Sequence, residues 1–549
     1  MKKNFKYIIG MGLVTIMATS CKKTLTEYNP GGSTAEAVYT TPAGFETLVN
    51  AAYSYQRWWY GKEEGYSLSE MGTDIWTSAS GDVYPDLNKY INLQGSDGAV
   101  KQMWQQLYAA VNLCNTGINR IGNAGYPAAT RTTREAELRF LRAFYYWHIV
   151  ETWGGVHFTT TETTSIITTA NKTPVETFYK QIFDDLQFAV ANLPTTTSDY
   201  GRVTKYAAEA FLSRMYLTRG MNQQASNAAM DVIKKGGYVL QPNYADLWLM
   251  SNLQNKEVIY AVNYSANLSL DDLKDNILYP FGHARGGNNG HLEFIMKYDD
   301  QPGMLRDIAN GRPFNRYMPT LFLLNLYNEA DDARYDGSFK NAWFANNTAT
   351  LPAGIKLGDT AVITSKLTIP TATKATKKYR IYDRASCYKA DGTTLDNIHC
   401  VQLSKFMDPT RPDVNQQISA RDVFVIRLAE MYLNAAEAQM NLGHLDSAAT
   451  LVNVVRTRAA KPGHTVQMQV TPAQINLDFI LDERAREFAG EQIRWFDLKR
   501  TNKLVERVKA DNPDAAPNIQ SYHTVRPISQ DQIDAVTNRN EFKQNPGYQ

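Results

Sequence analysis

Cysteine is scarce: the 549 residues hold four, Cys21, Cys114, Cys387 and Cys400. No CxxC pair occurs, which excludes thioredoxin-like redox chemistry and cysteine-rich zinc sites. HExxH, GxSxG and the P-loop are missing too, so no short motif with a built-in catalytic mechanism is present. Charge of one sign is lacking, because 57 basic and 55 acidic residues leave a net +2. The overall field therefore calls for neither nucleic acid nor a strongly anionic partner. No run in the body of the chain approaches the roughly eighteen apolar residues that a membrane-spanning helix needs. The eight histidines show no metal-ligand spacing. His283 and His291 flank HARGGNNGH, which reads as a turn, and the aspartates of EADDARYDGS lack the alternation of an EF-hand loop. No catalytic residue, metal or cofactor is expected.

The N-terminus is more informative. MKKNFKYIIGMGLVTIMATS places Lys2, Lys3 and Lys6 before an apolar run from Tyr7 to Met17, followed by Ala18, Thr19 and Ser20. This is the basic, apolar, small-residue order of an export signal, too short to span a bilayer. The small residues stop at Cys21, which suits the lipoprotein form of that signal, although Ala18 stands where a large aliphatic is more usual. Residues 1–20 are thus expected to be a signal peptide, Cys21 the lipidated new N-terminus, and 21–41 a polar tether. At about 0.8 kcal/mol per buried CH₂, one acyl chain holds a protein marginally and two or three hold it firmly. Of the other cysteines, Cys387 and Cys400 could pair in an oxidising compartment, whereas Cys114 reads as a small apolar residue on a buried helix face.

Helical periodicity dominates two blocks, about 42–238 and 421–508. The first contains helices at 43–59, 100–121, 134–153, 174–193, 204–220 and 222–236; the second reads as helices over 422–443, 445–460, 472–491 and 491–501. Pro174 opens one helix and Pro194 follows its end. YLTRGMNQQA and QMNLGHLDSA repeat one spacing: Gly220 precedes Ala225 as Gly443 precedes Ala448. A helix-ending glycine followed by a small residue that admits close packing resembles the tetratricopeptide turn. Between the blocks, residues 239–420 are rich in Gly, Asn, Asp, Pro and Thr, with strand-like runs in EVIYAVNY and HCVQLSKF. Large aromatics such as Trp248, Phe281, Tyr317 and Trp343 argue for elaborated loops rather than disorder. A tail, 509–549, closes the chain.

Five stretches together identify a family. The lipoprotein start, ELRFLRAFYYWHIVETWGGV (137–156), FVIRLAEMYLNAAEAQ (424–439), DERAREFAGEQIRWFDLKR (482–500) and QNPGY (544–548) resemble, in order, the SusD/RagB outer-membrane lipoproteins of Bacteroidetes. His157 follows WGGV where the family often has proline. The resemblance implies a mainly α fold of tetratricopeptide-like pairs with a loop-rich ligand-binding elaboration. It also implies a lipid anchor at the cell exterior, a SusC-like TonB-dependent transporter as partner, and capture of a nutrient, usually a glycan.

Two sets of candidate residues follow. Asp482, Glu483, Glu487 and Glu491 invite a catalytic reading, but Arg484 and Arg486 lie among them and ion pairing is the simpler expectation. Arg494 and Trp495 are expected to lock the last helix onto the scaffold. For ligand capture, MGTDIWTSASGDVYPDLNKY interleaves Trp76, Tyr84 and Tyr90 with Asp74 and Asp82 without helical spacing. Sugars offer apolar C–H faces ringed by hydroxyls, so aromatic platforms beside polar groups suit them. The resemblance adds the middle region, with Arg312, Tyr317 and Trp343. Three readings stand: glycan capture, peptide capture on the same fold with a deeper enclosing cavity, and a secreted hydrolase.

The anchor is directly testable. Cys21→Ser is expected to leave the protein folded but release it from the outer-membrane fraction. A variant that still pellets in high salt, in cells lacking the partner transporter, refutes Cys21 as the main tether.

Overall fold

The computed structural model describes residues 35–265, 267 and 287–549. The expected signal peptide, Cys21 and most of the tether, together with Phe281 and His283, lie outside them. Among the described residues no helix is long and apolar enough to cross a membrane.

The first helical block folds as α1 (Pro42–Ser54), α2 (Gly98–Arg120), α3 (Ala128–Trp153), α4 (Val175–Asn192), α5 (Lys205–Thr218) and α6 (Asn222–Lys235). The second supplies α7 (Leu428–Asn441), α8 (Leu445–Ala459), α9 (Leu477–Phe488), α10 (Arg494–Arg500) and α11 (Leu504–Asp511). Each helix from α2 to α8 packs on the next, so the two blocks form one continuous stack joined at α6 and α7. The mainly α, tetratricopeptide-like architecture is the one expected.

Local chemistry sets the ends. The Thr41 hydroxyl caps α1, Asp97 accepts from the amides of Ala99 and Val100 at the start of α2, and Asn476 accepts from Phe479 N at 2.9 Å to start α9. Ala225 and Ala448 are fully buried, which lets the helices following Gly220 and Gly443 approach their partners closely. Ala225 packs with Leu217 and Ala438, the contact that stitches block to block.

One expected helix is divided. Residues 423–427 form β9 (Val423–Arg427), antiparallel to β2 (Val258–Val262), and only then does α7 begin. VFVIR is β-branched and aromatic, and a distant strand completes its backbone hydrogen bonds, so pairing overrides the helical pattern. The fully buried helix Glu63–Ser69 was not expected, because EEGYSLS is short and offers only Tyr66 and Leu68 as large apolar residues, too few to show a helical period.

The middle region is ordered into short pieces. β1 (Trp76–Ser78) pairs with β3 (Tyr317–Pro319), and β4 (Phe339–Lys340) with β8 (Gln402–Leu403). β5 (Ala342–Phe344), β6 (Thr360–Ser365) and β7 (Arg380–Asp383) make a three-stranded sheet in that order. Cys387 and Cys400 are buried free thiols rather than a disulfide, and the Cys387 thiol faces the His399 carbonyl oxygen at 3.2 Å. Cys114 is buried on α2, as read from its neighbours. The tail returns to the scaffold: Asn545 donates to the carbonyls of Trp153 and Arg526, each at 2.9 Å, so QNPGY seals the end of the WGGV helix.

Gly443 has φ +82°, and a Cβ built there meets no atom within 4 Å. Any penalty for a side chain is therefore purely conformational. Gly443→Val is expected to lower stability by about 1–2 kcal/mol, the scale of forcing a non-glycine residue left-handed. A loss below about 0.5 kcal/mol by chemical denaturation, the range of ordinary surface changes, counts against this turn.

Candidate functional site

The two stretches selected for ligand capture do meet. β1 and β3 pair in the register Trp76↔Pro319, Thr77↔Met318 and Ser78↔Tyr317. Beyond the ladder, Gly81 N donates to the Asn315 carbonyl at 2.8 Å, and Asn315 Nδ2 donates to Ser80 Oγ at 2.7 Å and to the Asn397 carbonyl at 3.0 Å. A Cβ at Gly81 would lie 2.1 Å from the Phe314 carbonyl oxygen, so only glycine allows this approach. Three loops, 78–84, 312–316 and 396–399, are thereby held against one another.

The aromatics picked from the sequence are not the surface of this assembly. Trp76 is fully buried, its ring 4.8 Å from Phe294 at 66°, because its strand faces the core. Tyr317 is buried with its hydroxyl 2.7 Å from Ser67 Oγ and donating to the Glu63 carbonyl at 3.0 Å. Tyr90 is buried and donates to the Gly72 carbonyl at 2.9 Å. Trp343 is buried in a separate cluster with Ile295, Tyr298 and Met304. Asp74 is buried and answers Arg494, whose Nε lies 2.8 Å from Oδ1. These five are corrected from ligand contacts to internal packing or pairing. Alternation with polar residues marks a short strand as well as a loop.

Asp82, Tyr84 and Arg312 remain half-buried at the rim. Asp82 accepts from Tyr84 N at 2.9 Å, and both of its carboxylate oxygens accept from Asn88 Nδ2, at 3.0 and 2.9 Å, which shapes the turn. Tyr84 donates to Glu64 Oε1 at 3.2 Å. Arg312 donates to the Asn415 carbonyl at 2.5 Å, and its guanidinium lies 5.3 Å from the centre of the Phe314 ring. Arg316 approaches the same ring at 5.0 Å. Phe314 is half-buried and was not expected from the sequence, where a lone phenylalanine between Pro313 and Asn315 has no distinguishing period. Exposed Val83 and Ile398 lie on the adjoining loops. The resulting face presents one aromatic ring, two guanidinium groups, apolar edges and amides.

Arg316 is anchored from below. Its Nε lies 2.5 Å from Glu63 Oε1 and 3.8 Å from Glu293 Oε2. Burial pushes the Glu63 carboxyl up to about 7, against the pull of Arg316, and pushes Glu293 up as well. These carboxyls fix the arginine under the ring rather than facing solvent.

The charged run near the C-terminus pairs as expected. Glu483 meets Arg334 at 2.8 Å and Arg456 and Arg486 at 2.7 Å; Glu487 meets Arg427 at 3.1 Å and also Arg458. Although burial raises both carboxyls, the surrounding guanidinium groups more than offset it, holding Glu487 down at about 2 and Glu483 well below its usual range. A general acid needs the opposite tuning. Arg484 turns to Asp497 at 2.6 Å instead of to its sequence neighbours, and Arg494 and buried Trp495 do lock α10 to the turn at Asp74. The aspartates of EADDARYDGS are used by Arg334, His464 and Lys461. His291 is buried, and burial lowers its imidazole to about 3.

Trp76→Ala is expected to cost about 3–5 kcal/mol of stability, the range for emptying a buried tryptophan site. A melting temperature unchanged from wild type would return Trp76 to the ligand face.

Comparison with known proteins agrees with the helical fold. The model of the SusD family matches residues 257–548, and a second, described as starch-binding and associating with outer membrane, matches residues 45–217. A SusD-like protein of Formosa agariphila is 27% identical over 441 residues, covering 78% of this chain and 76% of the relative. The starch-binding protein SusD of Bacteroides thetaiotaomicron is 22% identical over 523 residues, covering 88% and 85%. Among solved structures, a laminarin-binding SusD-like protein superposes with a TM-score of 0.70 at 22% identity, covering 93% of this chain and all of that one. With a single family model spanning more than half its length and the same helical stack in its structural neighbours, this chain belongs to the SusD family.

Proposed function

We propose that the protein is a lipid-anchored capture protein on the outside of the outer membrane, which binds an oligosaccharide and passes it to a SusC-like TonB-dependent transporter. The observation that carries this reading is Phe314, a half-exposed ring flanked by the guanidinium groups of Arg312 and Arg316. An aromatic face meets the C–H face of a sugar, and guanidinium and amide groups meet its ring of hydroxyls. The printed ligands of the relatives, starch and laminarin, are both glucans, which supports the class of ligand.

A second observation supports binding over hydrolysis. The carboxylates of the C-terminal run are neutralised by guanidinium groups, which leaves them unsuited to proton transfer to a leaving group. Anchorage rests on the export signal and Cys21, and the family's association with outer membrane supports it. The Cys114, Cys387 and Cys400 thiols are buried, so Cys21 is the cysteine whose sequence context provides for lipid.

Calorimetry with soluble laminari-, malto- and cello-oligosaccharides, run beside a peptide panel, tests the site. Phe314→Ala is expected to weaken binding by about 1–3 kcal/mol, the scale of planar rings stacking on aromatics. Arg312→Ala should weaken it too, with the melting temperature little changed in both. Unchanged affinity in both variants removes the site from this face. Preferential peptide binding, or sugar release during the titration, overturns the glycan-capture reading.

A further inference from the structure

The sheet β5–β6–β7 carries a cleft of about 510 Å³ that shares no lining residue with the Phe314 face. Its walls are Pro302, Pro352 in the β5–β6 connection, Ala361 of β6 and the segment 374–381 that enters β7. Four cations line it, and no aspartate or glutamate does. One of them is already committed: Lys374 Nζ donates to Asp383 Oδ1 at 2.8 Å and to Ser386 Oγ at 2.9 Å.

Lys377, Lys378 and Arg380 are exposed, and among the described residues none of them has a carboxylate within ion-pair distance. Lys378 Nζ instead faces the Gly354 carbonyl at 3.4 Å. Arg380 is held in place by parallel pairing opposite Val362, so its backbone cannot swing the charge away. Elsewhere in this chain arginines are routinely answered by acids, as Arg334, Arg427 and Arg500 are. A cleft lined by one sign of charge concentrates counter-ions of the other sign. The chain's near-neutral total conceals this local field.

The floor matters as much as the charge. Pro302, Pro352, Ala361 and Ile381 offer apolar surface, and half-buried Tyr379 lies among the three free cations. A cleft of this size lies in the range that holds small ligands. A bare inorganic anion would use the rim and leave the floor empty; a sugar ring bearing an anion uses both.

We propose that this cleft is a second binding site, for the carboxylate or sulfate groups of an acidic oligosaccharide. The inference rests on the glycan reading of the preceding section and adds acidic chains to the ligands of that reading.

The test compares tetragalacturonate, its methyl ester, a sulfated carrageenan tetrasaccharide and inorganic sulfate, titrated into the wild-type protein and into the triple variant Lys377→Gln, Lys378→Gln, Arg380→Gln. At low salt the wild type is expected to bind at least one acidic tetrasaccharide tenfold or more tightly than the methyl ester and inorganic sulfate, with affinity falling as salt rises. The carboxylated and sulfated arms show which anion fits. The triple variant should lose that advantage while keeping its melting temperature and its neutral-glycan binding. Lys377→Arg with Lys378→Arg, which keeps the charge, should retain the advantage; it also serves as the check if the triple variant folds poorly. Equal affinity for the tetragalacturonate and its ester, with no binding of the sulfated chain, overturns the inference while leaving neutral-glycan capture intact. Loss of binding to phosphatidylglycerol vesicles in the triple variant, without any effect on acidic sugars, also overturns it and makes the patch a membrane contact. Absence of binding to every oligosaccharide, neutral or acidic, overturns both readings.

Discussion

A buried ion network holds the loop region to the helical stack. Arg427, at the junction of β9 and α7, reaches Glu257 at 2.5 Å, Glu491 at 2.7 Å and Glu487 at 3.1 Å. Arg458 of α8 reaches Glu257 at 2.7 Å, and Arg334 of the middle region reaches Asp332, Glu483 and Glu487. Lys405 adds a contact to Glu491 at 2.9 Å. Taking such charges from water costs several kcal/mol per ion, which excellent geometry and multiple hydrogen bonds must offset. The network is therefore poor evidence of net stability and strong evidence of placement. An unpaired member would be a buried naked charge, so the pieces of the middle region are fixed where their partners stand on α8 and α9.

The proposed ligand face depends on that placement. The middle region has few long elements of its own, and β1 and β3 are three residues each. Asp74 and Arg494 tie the turn before β1 to α10, and Glu63 with Glu293 ties Arg316 from below. Phe314 thus stands on loops whose attachment points are charged and internal. Loops supplying contacts while a rigid frame supplies position is the usual division of labour in binding proteins. Here the frame is ionic as well as apolar.

The helical stack was largely legible before folding, because its signals are local. Apolar residues recur at helical spacing, caps and prolines mark the ends, and Gly443 with Ala448 reproduces the turn of Gly220 with Ala225. The ion-paired role of Glu483 and Glu487 was legible for a related reason, since Arg484 and Arg486 stand between them within one helical turn. Their partners were not: Arg334 and Arg427 lie far away in sequence, and nothing local announces a contact across the fold. VFVIR failed for the same cause, because its partner β2 is remote.

Readable along the chain, then, are the helical architecture, the family, and the two stretches from which the proposed face is built. Each is encoded in neighbours along the chain, in the order of charge, size and apolarity. Which residues of those stretches reach solvent was settled by packing across the fold. In a strand three residues long, alternation cannot say which side is in, and burial depends on what packs above. Phe294 and the residues around it claimed Trp76, while the close approach at Gly81 lifted Phe314 to the rim. Exposure is a property of the assembled surface, and it has no local code.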